Sequence, residues 1–383
     1  MTATDVQPAF VRSMPMDAQP PPLAVGGAIG WVRINLLSGP FNIVLTILAI
    51  MLIAWIVPPL LKFLIIDATW TGVDREACLP SQARPDPGAC WPFVRERLPY
   101  FIYGSYPIPQ RWRVDIFFAM LAVGVGWQLW LQAPRRDLGM IYFFVVLPIV
   151  SLILLGGWPL IGLPTVETAY WGGALVTIVV ASVGIVVSLP VGILLALGRR
   201  SRMPAVKLFS VIYIEFVRGV PLITVLFMAS VMLPLFVPDA WSPDKLMRAL
   251  VGIAMFASAY MAEVVRAGLQ AIPKGQYEGA MAVGLNYRQM MRLVVLPQAL
   301  KITIPNIVNT YIGLFKDTTL VSIVGMFDLL RTIESARIDP KWATPVTSAT
   351  GYAVAAIFYF TFCYAMARYA RYTEARLAKG DRR

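Results

Sequence analysis

The stretch Gln276–Pro297, QYEGAMAVGLNYRQMMRLVVLP, lies between two apolar runs and reads as a short amphipathic helix. Glu, Ala, Met, Gln, Arg and Leu dominate it, and all are good helix formers. Glu278 stands near its start, where a carboxylate meets the positive end of a helix. Ala280 and Gly284 are four residues apart and share a face. Side chains that small let a second backbone come close. Met281, Leu285 and Met291 add adaptable apolar contacts. The spacing predicts one helix over Glu278–Leu293, with Pro297 unable to continue it and turning the chain toward the next span. An ordinary interfacial helix is the plain alternative. The stretch holds no metal-ligand set, no nucleophile and no phosphate loop.

Composition places the chain in a membrane. Of 383 residues, 58% are hydrophobic and 14% are charged, whereas a soluble domain has about a quarter charged. Mean hydropathy is +0.68. The net charge of +12 reads as positive-inside loops. It does not read as a nucleic-acid surface, because no basic stripe with interleaved aromatics stands apart from the apolar runs. With no His and three Cys, the chain can build no Ser-His-Asp triad, no Cys-His dyad and no His-ligated metal. No G-x-x-x-x-G-K-S/T occurs, so any ATP must be hydrolysed by another chain.

A spanning helix needs about 20 mostly apolar residues. Five such runs stand out, at Ile34–Leu61, Ile116–Pro134, Leu138–Val166, Thr168–Gly198 and Trp342–Ala367. A sixth, within Leu208–Leu235, carries Glu215 and Arg218. Two weaker ones, Ala249–Gly268 and Ile302–Phe327, carry Glu263 and Lys316–Asp317. Eight spans put both termini on one side. The basic clusters Arg135–Arg136, Arg199–Lys207, Arg266–Lys301 and Arg368–Arg383 make that side the cytoplasm. Loop 67–113, which also holds several Arg, falls outside; long loops cross with less regard to charge. Residues 1–33 are Pro-rich and polar with no signal-peptide core, and are expected to be a disordered cytoplasmic N-terminus. A three-span extension, 34–166, with periplasmic loop 67–113, is followed by a five-span core, 167–370, and a basic cytoplasmic tail, 371–383. Cys78 and Cys90 lie twelve residues apart in the outer loop. They are either a disulfide, as an oxidising compartment allows, or two free thiols. Cys363 reads as an apolar packing residue.

Four blocks carry a resemblance to a known family. WGGALVTIVVASVGIVVSLPVGILLALGRR (Trp171–Arg200), IEFVRGVPLITVLF (Ile214–Phe227), ASAYMAEVVRAGLQAIPKGQYEGA (Ala257–Ala280) and GLFKDTTLVSIVGMFDLL (Gly313–Leu330) resemble, in order, the polar-amino-acid permeases of ABC importers. Glu278, Gly279, Ala280, Gly284, Leu296 and Pro297 sit at the spacing of that family's EAA loop, E-A-A-x(3)-G-x(9)-I-x-L-P. The chain departs from the pattern at Gly279, where Ala is usual, and at Val294, where Ile is common. The resemblance implies an all-α integral membrane protein with a type I ABC importer (MetI-like) transmembrane domain. Its coupling helix, 278–293, would plug into a groove on an ATPase. It further implies two ATPase subunits that hold the ATP and Mg, no cofactor in this chain, a periplasmic amino-acid-binding protein, and an L-amino acid substrate carried across the bacterial inner membrane. Such permeases usually have five spans. Three more, with a large outer loop, resemble a subunit of the general L-amino acid transporters of Gram-negative bacteria (Aap/Bzt type, HisMQ-like family). Those pair two different membrane subunits, so a heterodimer is implied.

Charges inside spans cost roughly 2.5–3.5 kcal/mol each on insertion scales and face a cavity or a partner. Arg218, Glu215, Glu263, Lys316 and Asp317 qualify. A zwitterionic substrate calls for both signs, so Arg218, Glu263, Lys316 and Asp317, with Thr318, Thr319 and Ser322, form the candidate substrate path. The alternative is that Glu215–Arg218 and Lys316–Asp317 are pairs that satisfy each other. Two other function classes remain. An ion-gradient transporter would show inverted repeats with broken midplane helices, and no clear repeat is present. A membrane enzyme would need clustered catalytic side chains, and none is identified.

Overall fold

The computed structural model describes residues 27–82, 84–130, 132–238 and 243–380. The expectation of disorder at 1–33 lies outside the described residues as far as residue 26. Residues 27–33 are helical instead. The chain divides into two units at Asp67–Ala68.

In the first unit, helix α1 (Gly27–Asn35) leads into α2 (Pro40–Leu61), which a wide turn extends to Ile66. Pro58 and Pro59 lack N–H donors, and the chain widens just after them. No side chain of α2 is buried. A helix apolar on every face is a membrane span.

The second unit begins with α3 (Trp91–Tyr103) and α4 (Arg111–Leu129). α5 (Arg136–Ile141) runs through a wide turn into α6 (Leu147–Gly156). Then come α7 (Gly173–Arg199), α8 (Pro204–Gly219), α9 (Leu222–Phe227) and α10 (Leu233–Phe236). α11 (Lys245–Ala271), α12 (Lys274–Ala282), α13 (Tyr287–Met290) and α14 (Leu296–Asp317) follow. The short strand β1 (Phe327–Asp328), α15 (Leu329–Ala336) and α16 (Pro345–Gly380) complete the chain. Among the described residues, seven helices are long and apolar enough to cross a membrane, or eight with one bent pair counted as a span.

α7 and α11 form the centre. α8, α9 and α14 pack on α11, and α16 packs on α14. The α4–α6 pair closes over them through Phe117, Leu155, Val179, Leu250 and Ile253. Two spans assigned by sequence to an extension thus share a core with α7 and α11.

Several span limits differ from the sequence reading. The run 208–235 is α8 and α9–α10, bent by 104°. Pro221 has no N–H and disfavours helix at Val220, which is extended at φ −107°. The run 138–166 ends at Gly157, whose φ of 83° closes α6. The last span starts at Pro345 and reaches Gly380, while Trp342 lies before it, fully buried against Phe93. Residues 381–383 of the expected tail are outside the described residues.

Loop 67–113 is folded. Cys78 and Cys90 are joined as a disulfide. Phe93 and Phe101 of α3 pack with Leu329, Ile333 and Trp342. Arg97 pairs with Asp339, and Lys341 with Glu96 at 2.7 Å. The Cys90 N–H donates to Thr350 Oγ1 at 2.9 Å. These bonds clamp the loop onto α15 and the start of α16.

β1 bridges Gly172 and Gly173 at the head of α7. Asp328, fully buried, caps α15 by accepting from the Leu330 and Arg331 N–H groups. Desolvation outweighs those bonds and pushes its carboxyl up to about 6. An unfolded Asp titrates near ~4. Between these values the folded chain keeps a proton that the unfolded chain has lost, so stability falls as pH rises through the window. Asp328→Asn keeps a good capping acceptor and removes this dependence. Thermal unfolding followed across the window should show the unsubstituted protein losing about 2–3 kcal/mol more than the variant. Parallel curves would refute the assignment.

Candidate functional site

The stretch 276–297 is not one helix. α12 ends at Ala282, and the chain passes through Gly284 at φ +80°. The Gly284 N–H donates to Met281 O at 2.9 Å and the Leu285 N–H to Ala280 O at 3.1 Å. This is the Schellman pattern, with glycine in the left-handed position. Gly284 therefore ends the helix instead of offering a small contact face, and a Cβ there would meet open space. Asn286 starts the next helix with a capping box closed by Gln289.

Pro297 does not end a helix either. α13 continues through a wide turn, Met291–Val295, into α14 and on to Ser322. In that turn the Leu296 N–H reaches back to Met291 O. The wider spacing accommodates a residue without an N–H at the next position.

α12 is held from beneath. Ala280 is buried with Ile272, Leu269, Met290 and Val295. The Tyr277 hydroxyl donates to Leu269 O at 3.1 Å. Arg200, just past α7, donates to both Leu269 O and the Tyr277 hydroxyl, and its guanidinium lies over the Tyr277 ring at 5.6 Å. Gln298 Nε2 donates to Gln276 Oε1 at 3.0 Å. Outward face Glu278, Gly279, Met281, Ala282, Val283 and Gly284, all exposed. Leu296 is half-buried and Pro297 exposed. The surface is a short apolar ridge with one acidic end, standing clear of the bundle. Sequence reasoning missed Arg200 and the Gln276–Gln298 bond, whose partners are distant in sequence. It also missed the Asn286–Gln289 box, which the N-x-x-Q spacing signals.

Deeper along α7, α8 and α11 lies a charge cluster. Glu263 accepts from Arg199 Nη1 at 3.0 Å and Arg266 Nη2 at 2.7 Å, with Arg218 Nη1 at 3.6 Å. Arg199 also meets Glu215 at 2.8 Å. Glu215 and Arg218 therefore do not satisfy each other; each takes a partner from another helix. Arg218 also stacks over the Tyr260 ring at 5.5 Å.

Lys316 and Asp317 form no salt bridge with each other among the described residues, as expected of helix neighbours whose side chains point about 100° apart. Lys316 is exposed and Asp317 half-buried. Thr318, Thr319 and Ser322 turn their hydroxyls onto the carbonyls of Phe315, Lys316 and Thr319 at 2.7–3.0 Å. Among the described residues, no hydrogen bond or ion pair brings this segment together with Glu263 and Arg218.

Residues 188–379 match the family model described as "Binding-protein-dependent transport system inner membrane component". That span contains the α12 ridge and the whole charge cluster. The chain is 50% identical to the inner membrane amino-acid ABC transporter permease protein YhdY of Escherichia coli, over 92% of this chain and 94% of that protein. It is 37% identical to the glutamate/glutamine/aspartate/asparagine transport system permease protein BztC of Rhodobacter capsulatus, over 98% and 99%. A crystal structure described as an amino acid ABC transporter with histidines superposes with a TM-score of 0.46 and 28% identity, covering 52% of this chain and 90% of that one. The ion-gradient alternative finds no support among these relatives.

The cluster geometry separates its two acids. Glu263 is 15% exposed and shared by three arginines; Glu215 is 55% exposed and serves one. Glu263→Gln should cost about 2 kcal/mol, between the ranges for surface and buried pairs. Glu215→Gln should cost under about 1 kcal/mol. Melting temperatures of the two variants in detergent check the order, and equal losses would contradict it.

Proposed function

The chain belongs to the binding-protein-dependent transport system inner membrane component family, and from that premise we propose that it is one half of the pore of an ATP-driven importer of polar or general L-amino acids. It is a multi-pass permease of the inner membrane. One of the two ATPase subunits of the complex docks on the α12 ridge, a second homologous permease completes the pore, and a periplasmic amino-acid-binding protein delivers substrate to the outer mouth. Both termini lie in the cytoplasm, on the side of the basic clusters. The amino-acid class is supported by what YhdY and BztC are named for. Lys316 and Asp317, both without a salt bridge to the other, offer the two signs a zwitterion needs.

The observation that carries this reading is the α12 ridge. It is buried on one side, pinned through Tyr277 and Arg200, and unpartnered on the other. No internal packing requires Met281 and Val283 to stand in the open, and a docked protein would bury them.

Gly284→Val forces a branched side chain into a left-handed position at about 1–2 kcal/mol and misdirects the ridge. In the reconstituted complex, uptake of labelled amino acids and substrate-stimulated ATP hydrolysis should both be lost while membrane insertion holds. Gly279→Ala meets open space and improves helix propensity by about 1 kcal/mol, so it should keep both activities. Normal coupling in Gly284→Val would remove α12 from the ATPase contact.

Orientation has its own check. Asp86, exposed in loop 67–113, and Gly380 are replaced singly by Cys. An impermeant thiol reagent should label Asp86→Cys from the periplasm and Gly380→Cys only from the cytoplasm. The reverse pattern would invert the topology.

A further inference from the structure

Two neighbouring arginines at the tail of α7 reach in different directions. Arg199, the last residue of α7, pairs with Glu263 of α11 and Glu215 of α8. Arg200 follows as the C-cap, and its Nη1 donates to Leu269 O at 3.2 Å and to the Tyr277 hydroxyl at 3.1 Å. The first arginine belongs to the charge cluster and the second to the base of the α12 ridge.

The Leu269 carbonyl needs these partners. It lies in the last turn of α11, and the residue four further on, whose N–H would complete the helical bond, is Pro273. The Tyr277 hydroxyl donates to the same oxygen at 3.1 Å. Three polar groups thus close a triangle, one each from the tail of α7, the end of α11 and the first turn of α12. A cation at the C-terminal end of a helix is favoured in its own right. The Arg200 guanidinium also lies over the Tyr277 ring at 5.6 Å, so it grips α12 by ring and hydroxyl together.

The tail of α7 is close-packed. A Cβ added at Gly198 would overlap Ser210 Oγ of α8. A displacement of Arg200 is therefore felt at Arg199, its covalent neighbour. Arg199 is one of three arginines that share Glu263, and the Arg218 contact, at 3.6 Å, is the longest of the three. Shifting Arg199 redistributes Glu263 among them.

We propose that Arg200 is a positioning residue that carries displacement of α12 to the charge cluster at Glu263. The inference rests on the reading of the α12 ridge as the ATPase contact. Arg200 acts at the base of α12, away from the outward Met281 and Val283, so its loss leaves the docking face in place and loosens the link between that face and the tail of α7.

The complex containing the full chain is reconstituted, and uptake of an equimolar mixture of labelled L-amino acids is measured together with ATP hydrolysis. Uptake per ATP hydrolysed should fall about tenfold in Arg200→Ala, the equivalent of one charge-assisted hydrogen bond. It should fall about fivefold in Tyr277→Phe, the equivalent of a neutral one. Arg200→Lys keeps a cation for the Leu269 carbonyl and should recover part of the ratio. A merely structural role would lower the amount of assembled complex and leave uptake per ATP unchanged, and that result overturns the proposal. If the ratio is unchanged while Gly284→Val still loses coupling, Arg200 loses its role and the ridge keeps its ATPase. If Gly284→Val also couples normally, both readings fall. The route to the cluster has its own test. Tyr277 and Glu263 share no hydrogen-bond partner among the described residues, so independent losses multiply. Transmission along one path leaves the double variant of Tyr277→Phe and Glu263→Gln no worse than the worse single one, and multiplied losses overturn the route. If Glu263→Gln fails to assemble, the ratios of Arg200→Ala and Tyr277→Phe decide alone.

Discussion

The contact between α7 and α11 sets the position of everything else in the second unit. Lipid tails are as apolar as leucine, so the hydrophobic effect does not draw two helices together inside a bilayer. Close approach must do so. At Gly192 an added Cβ would stand 2.8 Å from Met261 Cβ and 3.0 Å from Ala262 N. Ala196, Ala259 and Ala262 are fully buried nearby. With the two backbones that near, the carboxylate of Glu263 comes within reach of Arg199, and α8 joins through Arg218 and Glu215. The polar cluster follows from small-residue packing and reinforces it. At its centre Glu263, 15% exposed, is shared by three arginines, while Glu215 at the rim is 55% exposed.

The end opposite the charge cluster is fixed by different means. There the chain is not confined to helices, and backbone groups find partners in short bridges and side chains. Gly173 donates to Thr332, and Leu329 donates to Thr177. The disulfide, the Arg97–Asp339 pair and the buried Trp342 tie residues 68–110 to the same layer. The α7 head is thereby anchored at that end, while its tail carries Arg199 and Arg200 toward α12.

Spans were legible because every polar backbone group in hydrocarbon must be satisfied within its own helix, which forces long apolar runs. The α12 segment was legible by its spacing, although the role of Gly284 was not. Small size and a left-handed dihedral are both reasons for glycine, and the residue letter does not separate them. Proline misled twice for one reason. Pro221 was read through although it bends the span, and Pro297 was read as a stop although a wide turn absorbs it. The cost of a missing N–H depends on what its neighbours do. The partners of Glu215 and Arg218 were beyond reach, since a pair three residues apart on one helix competes with arginines on helices that only the fold brings near. The folded character of loop 67–113 was also hidden, because its partners lie some 240 residues further on.

In the proposed coupling, how motion at α12 would reach the spans depends on the stiffness of its two ends. Between α11 and α12 stand just Ile272 and Pro273. Ile272 is 5% exposed and extended, with φ −75° and ψ 124°. The ring fixes φ at Pro273, and a residue before proline is itself restricted. That joint has little freedom to absorb a displacement. The other end, Val283–Asn286, turns through a glycine that can rotate at low cost. Under the proposed ATPase docking, a push on α12 would be taken up as rotation at Gly284 and passed as translation to Ile272. From there it enters the cluster of Leu269, Val265 and Ala196 that joins α11 to α7. The stiff joint faces the helix pair at the centre of the fold, and the soft joint faces α13. The order of these two joints gives the ridge a mechanical direction.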